Sequence, residues 1–222
     1  MAEVGKVCGA SAFMMWCQAV CGLYMQTSDN PALTGERLQG HMRGLGLGGT
    51  GLSNPMKSFA QIENLLLKAT PIEGGGYRVN GTLPWISNLA GDHYFGAIAA
   101  VMDGEHSAGR EVMFILKCDA PGVTLKECPK FSGMEGTGTY AVQCKDLVIT
   151  PADIVADPGT PLHPQNPRSI CDVAVWHCGR HCAGRHRQHL GLWNHNWATL
   201  TNTLTTGPRT CRPSWTIWWV AS

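Results

Sequence analysis

The segment Gly75-Gly-Tyr-Arg-Val-Asn-Gly-Thr-Leu-Pro-Trp-Ile-Ser-Asn88 decides how this 222-residue chain is read. Tyr77 and Val79 alternate with Arg78 and Asn80, the period of a strand that buries one face. Asn80-Gly81 stands between two apolar runs and predicts a hairpin turn, since both residue types tolerate positive φ. Thr82–Ser87 is then a second strand, on which Trp85 and Ser87 are two positions apart and share a face. On the residues alone, that pair reads as a buried Trp beside a hydrogen-bonded Ser.

Working outward, similar runs recur on both sides: 62–70, 76–80, 82–87, 93–102, 111–118, 122–127 and 139–150. Turn residues separate most of them, at 73–76, Asp103-Gly104 and Pro121-Gly122. Short strands at this spacing predict a β-sandwich or barrel of roughly 110 residues. Before Gly44 the texture is helical. Residues 4–27 read as one helix, apolar nearly all round, which neighbours must enclose. A second helix is expected near 34–42, and Gly44–Thr50 begins a glycine-rich loop.

Composition marks a seam. All seven Lys lie at or before Lys145 and all eight Glu at or before Glu135. After Pro158 one acidic residue remains, Asp172, yet six of the ten Arg, six of the nine His and six of the eight Trp fall there. A net charge of +1 carries no nucleic-acid footprint. Cys8, Cys17, Cys21, Cys118 and Cys144 are read as buried free thiols, because they sit in apolar runs and strands without a repeating spacing. That usage fits a reducing compartment, and a cytoplasmic location is expected. The uncharged stretch 7–28 approaches the length of a membrane span, but Gly9, Ser11, Gln18 and Gly22 dilute it. It also lacks the basic start and cleavage site of a signal peptide.

The opening segment resembles the hallmark of the acyl-CoA dehydrogenase family. There a Gly-Gly-Tyr/hydrophobic/Asn-Gly stretch leads into Lys-x-Trp-Ile-(Thr/Ser)-Asn. The resemblance continues through Pro121-Gly-Val-Thr-Leu125, Phe131-Ser-Gly-Met-Glu-Gly-Thr-Gly-Thr139 and Lys145-Asp-Leu-Val-Ile-Thr-Pro-Ala-Asp-Ile154, in order, from about Gly46 to Pro158. It implies an α+β architecture: a remnant of an N-terminal helical domain (1–44), a flavin-binding middle β-domain (45–158) and an irregular tail (159–222). It also implies FAD as cofactor, with Trp85 packed beside the ring and the Ser87 hydroxyl at its N5/O4 edge. Gly49-Thr-Gly-Leu-Ser-Asn54 occupies the place of the family's Leu-Thr-Glu-Pro-x-x-Gly-Ser-Asp. Thr50 is thereby assigned to the pyrimidine edge, and Ser53 with Asn54 to the missing Gly-Ser-Asp. Gly51 replaces the Glu, and Leu83-Pro84 stands where a Lys is usual before the Trp.

By the same resemblance the intact parent would oxidise the Cα–Cβ bond of an acyl-CoA and pass electrons to an electron-transfer partner, as a homo-oligomer. The family's catalytic carboxylate lies in a C-terminal helical domain, and no Glu follows Glu135, so no catalytic residue is assigned. The present chain is expected to be an impaired fragment. Two rival functions are a flavin-dependent monooxygenase of the same fold and a non-catalytic metal-binding protein built on Cys171, His177, Cys178, His181, Cys182 and His186. Against the metal site stands a frameshift. Read one nucleotide downstream, synonymous codons for 163–190 permit an apolar helical text rich in Ala, Gly, Ile and Leu. The stretch 193–208 needs the remaining frame. No metal site is assigned.

Overall fold

The computed structural model describes residues 1–59, 61–128 and 133–159. The Cys/His run and the frameshift reading therefore lie outside the described residues, as do Phe131 and Ser132. Eight strands form one sheet: β1 (Gly48–Thr50), β2 (Lys68–Pro71), β3 (Tyr77–Ile86), β4 (Tyr94–Asp103), β5 (His106–Lys117), β6 (Val123–Glu127), β7 (Tyr140–Ile149) and β8 (Ile154–Ala156). Their order is β6-β7-β3-β2-β4-β5-β8, with β1 added beside β4. The fold is α+β, as expected.

Asp103-Gly104 closes the β4–β5 hairpin, pairing Asp103 with His106. Asn80-Gly81 does not close one. β3 runs straight through it, and the register against β7 slips between Val79 and Gly81, which is a bulge. Gly81 has φ +136°, and a Cβ there would lie 2.2 Å from the Leu66 carbonyl oxygen. The Asn80 side chain accepts a hydrogen bond from Asp146 N across the irregularity (2.8 Å). Glycine is required by close approach of a neighbouring loop, so the turn signal marks a bulge instead.

β1 and β2 both run parallel to β4 and cover its edge in two pieces. Gly48–Thr50 pairs with Tyr94–Gly96, and Lys68–Ala69 with Ala100–Val101. Between them the chain forms α4 (Ser53–Phe59), which sequence reading missed because Ser-Asn-Pro lacks helical periodicity. Asn54 closes this excursion. Its amide nitrogen donates to Glu63 Oε1 and to the Asn64 carbonyl, both at 2.9 Å. Its oxygen accepts from Leu66 N at 2.9 Å.

The central strands bury both faces. On one side of β4 and β5, Phe95, Ala97, Ala99, Val101, Val112, Phe114 and Leu116 join a core that includes Val79, Leu83, Ile86, Val142 and Leu147. On the other side, Tyr94, Ile98, Met113 and Ile115 pack against the helices. This alternation is the period-two pattern of a strand between two layers.

The expected single helix over 4–27 is two: α1 (Ala2–Gly5) and α2 (Gly9–Gln26), interrupted at 6–8. Cys8 caps α2, its sulfur accepting from Ser11 N at 3.5 Å. That role leaves Cys8 exposed, which corrects the reading of it as buried; Cys17, Cys21, Cys118 and Cys144 are buried free thiols as expected. α2 buries Cys17, Val20, Cys21, Tyr24 and Met25, the i, i+3, i+4, i+7, i+8 face of a helix. Its opposite flank is not enclosed by the described residues: Met15 is 45% exposed. A distorted turn at Leu33–Arg37, broken at Gly35, continues into α3 (Leu38–Met42). Among the described residues no helix is long and apolar enough to cross a membrane.

At the far end of the sheet, Tyr77 and Arg110 both donate hydrogen bonds to the Asp157 carboxylate. The guanidinium lies 5.9 Å from the Tyr77 ring centroid. Gly159 N donates to the Glu111 carbonyl at 2.6 Å.

Candidate functional site

Three segments remote in sequence meet at the end of β3: 48–51, 86–89 and 134–139. Asn88 Nδ2 donates to the Gly48 carbonyl at 2.9 Å. The backbone amides of Asn88 and Leu89 donate to the carbonyls of Thr137 (2.8 Å) and Gly138 (2.9 Å). Gly49 makes the approach possible, because a Cβ there would fall 2.3 Å from the Ser87 carbonyl oxygen. The seam gathers Thr50, Ser87, Asn88 and Thr137, four of the seven buried polar residues among those described.

The Ser87 hydroxyl, 7% exposed as a residue, lies 2.6 Å from Thr139 Oγ1. Thr139 Oγ1 is in turn 2.7 Å from Thr137 Oγ1, which donates to the Met134 carbonyl at 2.9 Å. Thr50 is buried and hydrogen-bonded through its hydroxyl to the Tyr24 hydroxyl. Ser53, half-buried, opens α4. Its neighbour Asn54 is fully engaged in closing the 54–66 loop, so its amide is structural. Thr50 and Ser87 therefore lie on segments in direct contact, while Ser53 belongs to the adjoining helix.

Trp85 is half-buried at φ +62°, inside a second β3 bulge between Leu83 and Ile86. The bulge lets Leu83 and Ile86, three residues apart, both enter the core at 1% and 0% exposure. The period-two argument for placing Trp85 and Ser87 on one face accordingly does not apply; Ser87 stands just beyond the strand. A bulky residue at positive φ is a genuine outlier and costs about 1–3 kcal/mol. Asn88 (φ +64°) and Met134 (φ +60°) share that conformation. Backbone strain thus gathers at the seam, as it does at functional sites.

Thr137, Thr139 and Tyr24 were not singled out from sequence. The two threonines lie within the motif 131–139 and differ from ordinary loop residues only in their partners. Tyr24 carries no local signal, since helical periodicity makes it a core residue.

Two concavities border the helical layer. One, of about 790 Å³, runs along the open flank of α2 and reaches Asn88; Met14, Met15, Trp16, Leu23 and Leu47 line it. A smaller one, of about 160 Å³, is bounded by Glu36, Arg37, His41, Tyr94 and Lys117. Between them His41 is buried. Its Nε2 faces the Gln18 carbonyl at 2.8 Å and its Nδ1 the Tyr94 hydroxyl. Burial holds the imidazole pKa below its ordinary value, and pushes the Tyr94 phenol up. Among the described residues no group of His, Cys, Asp and Glu is arranged to hold a metal ion.

The sheet and its helical backing have the fold of solved acyl-CoA dehydrogenase-type structures. Butyryl-CoA dehydrogenase from Megasphaera elsdenii superposes with a TM-score of 0.64 at 16% identity, covering 91% of this chain and 57% of that one. FMN-bound TdsC from Paenibacillus sp. A11-2, a dibenzothiophene monooxygenase, superposes at 0.61 with 18% identity, over 90% of this chain and 57% of its own. In sequence the chain is 26% identical over 165 residues to probable acyl-CoA dehydrogenase YngJ of Bacillus subtilis (strain 168), covering 70% of this chain and 41% of the relative. No family model matches. In fold and in sequence the chain is thus similar to the acyl-CoA dehydrogenase family, and it spans less than half the length of that curated relative.

Proposed function

We propose that residues 45–158 are a flavin-binding middle domain, that FAD is the cofactor, and that the whole protein dehydrogenates the Cα–Cβ bond of an acyl-CoA thioester. The observation carrying this reading is the seam itself. A half-buried indole, strained into position, stands two residues from a hydroxyl whose local partners are other hydroxyls. That hydroxyl set suits the polar edge of an isoalloxazine, and the residues present fit the group. FAD, when bound, supplies the hydride acceptor.

The residues of this chain bind and orient. Ser87 engages the N5 edge, Trp85 flanks the ring, and Thr50 fixes β1 through Tyr24. The groove along α2 has the volume and apolar lining of a small-molecule site, and it supports an acyl chain laid beside Asn88. No residue described here is assigned as the base. An electron-transfer partner and self-association belong to the same proposal for the whole protein.

Equilibrium dialysis against FAD tests the cofactor assignment: saturable binding that weakens in Trp85→Ala supports it, and no binding by the folded chain refutes it. Anaerobic addition of acyl-CoAs to the loaded chain tests the substrate assignment through bleaching of the flavin's visible absorbance. The second reading, a flavin-dependent monooxygenase, is favoured by the likeness to TdsC and by Gly51 in place of the family's Glu. Reduced flavin mixed with oxygen would then give a hydroperoxyflavin absorbance.

A further inference from the structure

We infer that Thr139 and Thr137 are positioning residues that fix the Ser87 hydroxyl as a hydrogen-bond acceptor toward the cofactor, so that the site prefers reduced over oxidised flavin. The inference rests on the flavin reading and follows from counting protons. A hydroxyl owns one proton and two acceptor lone pairs. The Met134 carbonyl can only accept, so the Thr137 proton is committed to it at 2.9 Å. In the 2.7 Å contact between the threonines, Thr139 must then donate. With that proton spent, the 2.6 Å contact to Ser87 leaves Ser87 as donor. Ser87 retains lone pairs and no proton for anything beyond it.

The chain is anchored at its far end by backbone. Thr137 N also points at the Met134 carbonyl (3.2 Å), and the Thr137 carbonyl accepts from Asn88 N (2.8 Å). Rotating the hydroxyls to free the Ser87 proton would turn the Thr137 proton onto Thr139 and give up its hydrogen bond to the Met134 carbonyl, a net loss of one hydrogen bond within the protein. Oxidised isoalloxazine presents a bare N5, an acceptor, whereas the reduced ring carries a proton there. An acceptor in the protein therefore matches the reduced ring and mismatches the oxidised one.

Two measurements test this. Neutron diffraction from the deuterated, flavin-free chain is expected to show deuterons running from Ser87 to Thr139, from Thr139 to Thr137 and from Thr137 to the Met134 carbonyl. A deuteron on Ser87 turned away from Thr139 overturns the inference, whether or not flavin binds. The second measurement is the ratio of Kd for oxidised and reduced FAD. Thr139→Val frees the Ser87 proton and is expected to lower that ratio about fivefold, the size of one net hydrogen bond, while Thr139→Ser keeps it. Binding of both forms with an unchanged ratio in Thr139→Val also overturns it and leaves the flavin reading standing. Absence of flavin binding by the unmodified chain sinks the flavin reading and this inference together.

Discussion

His41 shows how a single buried side chain couples layers. Gln18 Nε2 reaches both His41 Nδ1 (3.2 Å) and the Gly46 carbonyl (3.1 Å), while Gln18 Oε1 accepts from Gly48 N at 2.8 Å. The imidazole thus joins α2, α3 and β4, and Gln18 adds the entry to β1. The arrangement satisfies a neutral ring with its proton on Nε2. Burial disfavours the cation, so the folded-state pKa lies below the ordinary 6.5. The unfolded chain then takes up the proton first as pH falls. Stability from this group is full above about pH 6.5 and is lost as pH drops through the depressed value. Arg37, Lys117 and Glu36 are the charged groups that border the same recess, and the Gln18 carbonyl, which accepts from the ring, works against the burial effect. In urea titrations at pH 8 and pH 5, His41→Gln should show a smaller loss of midpoint than the unaltered chain; an equal loss would remove His41 from the account. None of this was legible beforehand, because a lone His in a polar stretch carries no sign of what packs around it.

At the scale of elements, the strands were legible and their irregularities were not. The expected runs located β4, β6 and β7 to within a residue, and β5 apart from its first five residues, while β3 was divided in two; burial on one or both faces writes itself into the side chains. The bulges at 79–81 and 83–86 left signals that were read as something else: Asn-Gly as a turn, and Leu-Pro-Trp as an ordinary strand. Both bulges answer to a neighbouring segment, the Leu66 carbonyl in one case and β1 in the other, and a local pattern does not contain its neighbour. Motif resemblance singles out Ser87 and Thr50; their hydroxyl partners, Thr139 fifty-two residues after Ser87 and Tyr24 twenty-six before Thr50, carry no local signal. The dependence of the seam on close approach gives a specific expectation. Gly49→Ala places a methyl against the Ser87 carbonyl and should cost about 1–3 kcal/mol, with weakened flavin binding, by thermal denaturation and dialysis. Gly91→Ala, where a Cβ meets nothing within 4 Å, is the matched control. Equal effects at both positions would argue against a tightly packed seam.

For the molecule as a whole, β4 and β5 are the shared wall of two cores. Phe114 faces the inter-strand core and Met113 the helical one, each with no exposed surface. Truncating either leaves a cavity that rigid neighbours fill only in part. Phe114→Ala should cost about 3–5 kcal/mol and Met113→Ala about 2–5 kcal/mol. Because one strand pair carries both faces, both variants should shift a single unfolding transition; two separable transitions would mean the layers are stable independently.

The divided cover of the β4 edge bears on how the polypeptide tolerates being cut. Gln61 to Asn64 lies between two short strands, each held to β4 by its own ladder, and the Asn54 amide grips the far side of the gap. Severing the backbone near Ile62, which is 45% exposed, would leave both halves clamped to a common partner. Limited proteolysis there is expected to yield two bands under denaturing conditions and one undivided species on a native sizing column.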